Sequence, residues 1–225
     1  MIVVICPGIH SPELTAQFTA VLAPVIAHKC ALVQRLRPEQ YTVSVPPLWV
    51  LPPEIPPYAT DQVERFVSQQ WRQLGLEREG SFKPKQTEPL LWIGFSAGVV
   101  GAVTAARRWQ QRGPVAGLIA VDGWGVPLGS RFARFRISHD RFTAQSCEWL
   151  GASDGYFICE PAVSHLDLWR SPHLAHGRWH PNPQALNRQS CFGLRDTSLS
   201  DAQSATALQV MAQLVVGLAS QAAAS

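Results

Sequence analysis

Apolar residues fall into short blocks separated by polar or glycine/proline corners. Ile2–Cys6, Leu90–Ile93, Gly117–Val121, Phe135–Ser138 and Tyr156–Cys159 are compact runs, several rich in β-branched or aromatic side chains. Continuous apolar runs of that length predict strands covered on both faces. Between them the spacing changes to three and four. Ser11-Pro12 supplies an N-cap and a first-turn proline for a helix to about Leu22, and a second helical stretch is expected over Val25–Leu36. A helix from Thr60 places Val63, Phe66, Val67, Trp71 and Leu74 on one face, and another runs from Gly98 to the stop signal Gly113-Pro114. A sixth strand is expected near Tyr41–Val45. The segment "PPLWVLPPEIPPY" after it is excluded from central sheet and helix interior by its prolines. Residues 77–88 and 171–200 read as loops, and a closing helix is expected over 202–219.

Strands alternating with helices predict an α/β domain spanning residues 1–225. Its mainly parallel sheet of about six strands would carry helices on both faces. Ligands in such sheets bind beyond the carboxyl ends of the strands. Ser96, Asp122, Asp140 and His165 all fall there.

Composition narrows the function classes. Hydrophobic residues are 46% and charged residues 16% of the 225-residue chain, which suits a packed core rather than a disordered segment. The net charge of +3 is carried mostly by scattered arginines, so no nucleic-acid partner is expected. Five cysteines without a C-x-x-C spacing read as reduced, buried thiols. The N-terminal apolar run is too short for a signal peptide, and the C-terminal run is interrupted by Gln209, Gln213 and Gly217. No membrane span and a cytoplasmic location are therefore expected.

The candidate chemistry lies in "LLWIGFSAGVVGA". A strand ends at Ile93, a helix begins at Gly98, and Ser96 stands on the corner between Gly94 and Gly98. A tight strand-to-helix turn lifts a hydroxyl above the sheet, where a base on another loop can take its proton. The helix start behind it supplies N–H groups for developing negative charge. Gly94-Phe95-Ser96-Ala97-Gly98 matches the G-x-S-x-G nucleophile elbow in its strand–turn–helix setting.

Over residues 2–170 the chain thereby resembles the α/β-hydrolase superfamily, in particular its compact, lidless serine esterases, lipases and thioesterases. The resemblance implies a sheet lacking the family's first two strands, and the chain order nucleophile, acid, histidine: Ser96, Asp140, His165. It implies oxyanion donors at Ala97 and in the first strand's loop, where Ile9 is the choice. Asp122 is the alternative acid; its other role would be to cap the loop "DGWG". Gly8, His10, Trp124 and Leu166 are expected around the substrate, a small to medium acyl ester or thioester. His139 is expected to point away or bind backbone, and Asp154 to serve a turn. No cofactor is implied. The spacing of His173, His176 and His180 offers zinc ligands, but its glycine and proline surroundings read as a polar loop, so no metal is expected. A non-catalytic binding protein on the same fold, or an acyltransferase using the same residues, are the competing readings.

Overall fold

A computed structural model describes residues 1–36, 43–75, 88–129, 131–182 and 204–224. One sheet organises them, with strands β1 (Ile2–Cys6), β2 (Leu48–Val50), β3 (Leu90–Phe95), β4 (Val115–Val121), β5 (Ala133–Ser138), β6 (Gly155–Cys159), β7 (His176–Pro181) and β8 (Ser204–Thr206). Their order across the sheet is β2-β1-β3-β4-β5-β6-β7-β8. The first six run parallel; β7 and β8 turn back and pair antiparallel. The helices are α1 (Pro12–Leu36), α2 (Thr60–Gln73), α3 (Gly98–Trp109), α4 (Arg141–Glu148), α5 (His165–Arg170) and α6 (Ala207–Ala224).

Alternation along the central strands sends side chains to two separate cores. Val3, Ile5, Leu91, Ile93, Phe95, Ile119 and Val121 face a layer built from α1, α5 and α6. Ile2, Val4, Leu90, Trp92, Leu118 and Ala120 face α2 and α3. Both faces are dry, which is why these strands read as unbroken apolar runs.

Four expectations are corrected. The sheet has eight strands, not about six. The two extra ones lie at one edge, β7 inside the stretch expected to be loop and β8 just before the closing helix, which starts at Ala207. In β7, Gly177 and Trp179 are buried while His176 and Arg178 are exposed, a pattern with one face covered whose polar positions hide the strand. The strand beside β1 is Leu48–Val50, within the proline-rich segment, and Val43–Val45 is not strand; residues 41 and 42 lie outside the described set, as does most of the 77–88 loop. An edge strand needs donors on one side only, so flanking prolines are tolerated. Finally, α1 is one helix through Pro24. That ring faces solvent, where water can satisfy the carbonyl it leaves unpaired. By length and composition α1 could cross a membrane. In this fold Phe18, Leu22, Ile26 and Cys30 form its buried stripe. Leu74, expected on the packed face of α2, lies past its end and is exposed.

Candidate active site

The corner after β3 is set by close backbone approach. A Cβ on Gly98 would collide with the carbonyl oxygens of Cys6 and Pro7, so the start of α3 sits against the end of β1. A Cβ on Gly94 would come within 2.8 Å of the Val99 Cα, and one on Gly8 within 3.0 Å of the Ser96 Cβ. Only glycine fits these three places. Ser96 itself has φ 52°, in the left-handed region that a serine adopts only when its surroundings force it. The N–H groups of Ala97 and Ile9 donate to no backbone carbonyl among the described residues.

Asp122 ends β4, the neighbouring strand, and also has a left-handed backbone, φ 49°. Its side chain is 1% exposed and nevertheless well provided with donors. Oδ1 accepts the backbone N–H of His139 at 2.9 Å. Oδ2 lies 2.8 Å from Nδ1 of His165. Nδ1 of His139 is 2.9 Å from that same oxygen, close enough for ion pairing but off the line of a good hydrogen bond. The adjacent carboxylate raises the His139 pKa above the usual imidazole value, and burial opposes it only in part.

His165 opens α5. Ser164 caps that helix by accepting the Asp167 N–H at 3.1 Å, which fixes where the first residue points. The ring stacks on Phe95 with centroids 4.7 Å apart; Phe95 stacks in turn on Trp169 at 4.7 Å, and Trp169 on Phe18 at 3.6 Å. A column of aromatic rings therefore runs from α1 up to the half-exposed imidazole.

Ser96, Ala97, Asp122, His139 and His165 line one cleft of about 490 Å³, with Trp124 and Phe142 also on its wall. Ser96 Oγ makes no hydrogen bond to His165 across it. A second cleft of about 540 Å³ lies between the β1–α1 loop and the proline segment; Gly8, Ile9 and His10 form one side and Leu51–Tyr58 the other. Leu166 is part-exposed on α5 and lines neither cleft.

The expected contact between Asp140 and His165 is corrected: Asp122 occupies that place. Asp140 is instead the N-cap of α4, its Oδ1 accepting the Thr143 N–H at 2.7 Å. The pattern Asp140-x-x-Thr143 before a helical stretch was the sequence signal for that role. His139 does not point away; its ring faces the Asp122 carboxylate. Its place one residue beyond a parallel strand, on the ligand side of the sheet, was the signal for it. Asp154 holds the Arg134 N–H at 2.7 Å. His176 and His180 are four residues apart on β7, roughly 13 Å, too far to share one ion. Among the described residues, the three side chains placed to hold a metal are Asp122, His139 and His165, whose ligand atoms lie within 4.8 Å of one another.

The fold class is α/β with a mixed, mostly parallel eight-stranded sheet. A scan against protein-family models and a search of curated proteins both find no match for this chain.

Proposed function

We propose that the protein is a serine hydrolase of the α/β-hydrolase type, its sheet starting at the strand that carries the oxyanion loop, and that it cleaves an ester or thioester of modest size. The observation that carries this reading is the 2.8 Å approach of His165 Nδ1 to the buried Asp122, in the cleft that also holds the strained Ser96 corner. An Nδ1–H directed at Asp122 leaves Nε2 as the acceptor for the serine proton. Ser96 Oγ then attacks the carbonyl carbon as His165 takes its proton. The tetrahedral oxyanion is held by the N–H groups of Ala97 and Ile9. His165 returns the proton to the leaving group, and water repeats the sequence on the acyl-enzyme. Trp124 and Phe142 give the cleft an apolar wall for the acyl or leaving group.

A binding protein without turnover is the second reading, favoured by the missing bond between Ser96 and His165, although such bonds commonly tighten only around substrate. A fluorophosphonate probe separates the two. Labelling should occur at Ser96 and vanish in Ser96→Ala with the far-UV CD unchanged; an unlabelled wild-type protein favours the binding reading.

A further inference from the structure

We propose that Asp122, His139 and His165 also form a binding site for a divalent transition-metal ion of the zinc type, and that the bound ion switches the serine chemistry off. The binding stands on the geometry of the three side chains; the switching rests on the serine-hydrolase reading.

Asp122 Oδ2 is the meeting point, with Nδ1 of His165 at 2.8 Å and Nδ1 of His139 at 2.9 Å. Zinc bonds to nitrogen and carboxylate oxygen at about 2.0–2.2 Å, which sets tetrahedral ligands ~3.3 Å apart. An opening of about 0.5 Å accommodates the ion. Two imidazoles and one carboxylate favour zinc, cobalt or nickel over calcium or magnesium, and three protein ligands leave a fourth position towards the cleft. The Nδ1 atom of His139 is shut off from solvent and faces only Oδ2 of Asp122, so an ion placed between them would engage both. The outer contacts are those of a metal site. Nε2 of His139 faces the Asp140 carboxylate at 3.5 Å, and Oδ1 of Asp122 is held by the His139 N–H. A carboxylate behind a ligating histidine fixes its tautomer and raises its basicity.

The switching follows from proton counting. A neutral imidazole carries one N–H. Without metal that proton sits on Nδ1 of His165 and points at Asp122, leaving Nε2 free to accept from serine. An ion on Nδ1 needs the lone pair there, so the proton moves to Nε2, and Nε2 can no longer take the Ser96 proton. The same ion occupies the carboxylate that orients the ring.

The test uses the metal-stripped full chain. Co²⁺ is titrated by its visible absorption and Zn²⁺ by calorimetry, and fluorophosphonate labelling is timed with and without one equivalent of Zn²⁺. We expect one ion per chain, an affinity at least tenfold weaker in His139→Gln, a loss of about tenfold in Asp140→Asn, and no change in His176→Ala. Zinc should slow labelling of the wild type while leaving the His139→Gln rate, compared with and without zinc in that same variant, unaltered. No binding, or binding that His139→Gln leaves intact with its CD spectrum native, overturns the site. Stoichiometric binding that leaves wild-type labelling undiminished overturns the switch. If the metal-free protein is not labelled at all, the hydrolase reading and the switch fall together, while the cobalt titration still decides the site.

Discussion

Two aspartates end neighbouring strands, yet their backbones send them to different work. Asp140 has an extended backbone, φ −151°, and turns its carboxylate onto the first turn of α4. Asp122, in the left-handed region, turns its carboxylate inward to His165. Asp122→Asn should therefore lower turnover or labelling steeply, by around 10⁴-fold on the serine-protease precedent, because the His165 tautomer is lost. Asp140→Asn, which keeps a capping side chain, should leave the metal-free rate within a few-fold. Rates measured side by side check the pair. Asp140 also carries a pH signature. Burial pushes its pKa up, but the backbone and side-chain bonds from Thr143 and the nearby His139 more than offset this and hold it below the usual value. A depressed carboxyl contributes stability that is present above the unfolded pKa of about 3.9 and is lost as pH falls through the lower folded value. Asp140→Ala should cost about 1 kcal/mol in urea unfolding at pH 7, with the gap to wild type closing as the pH falls below the ordinary carboxyl range. Ser96 offers a third test. Glycine relieves a left-handed φ and alanine does not, so Ser96→Gly should be more stable than Ser96→Ala by about 1–2 kcal/mol, though neither can be labelled.

At the scale of elements, the histidine is held from below. Trp169 is fully buried on α5, one turn after His165, and its ring is sandwiched between Phe18 of α1 and Phe95 of β3. Trp169→Ala should cost about 3–5 kcal/mol in chemical denaturation and slow probe labelling several-fold where the variant is still folded, because Phe95 no longer seats the imidazole. Unchanged labelling would mean that the capped start of α5 positions His165 alone. Elements differed in how far the sequence exposed them. The Ser96 corner was legible because glycine, strand and helix signals coincide within five residues. Which aspartate meets His165 was not, because both follow apolar strands; the capping pattern at Asp140 was the one hint, and the backbone φ separates them. The outer strands were hidden by their own chemistry: three residues between prolines in β2, histidine and arginine at alternate places in β7.

For the molecule as a whole, β1 and β3 to β6 were readable because they are buried on both faces and largely apolar. The two clefts were not, since each is walled by loops distant in sequence. One joins the ends of β3, β4, β5 and β6; the other joins the β1–α1 loop to the proline segment. Gly8, on the wall of the second cleft, packs close against Ser96 of the first.

The closing helix adds a consequence for synthesis. Its buried residues, among them Leu208, Met211, Leu214, Val215 and Leu218, belong to the core layer on the α1 side of the sheet, where the helix meets β4, β6 and β7. α6 also packs along α1, where Lys29 donates to Gln213 at 3.0 Å. α6 thus covers strands made well before it. A chain emerging from the ribosome leaves bare the part of this face that α1 and α5 do not cover until residue 207 and beyond have cleared the exit tunnel, the period in which exposed apolar surface invites aggregation. Nascent chains stalled with the last residue outside the tunnel near 206 should be cut readily by added protease, and chains stalled with residue 224 outside should resist. The eighteen residues of α6 are in this sense the step at which the fold becomes self-protecting.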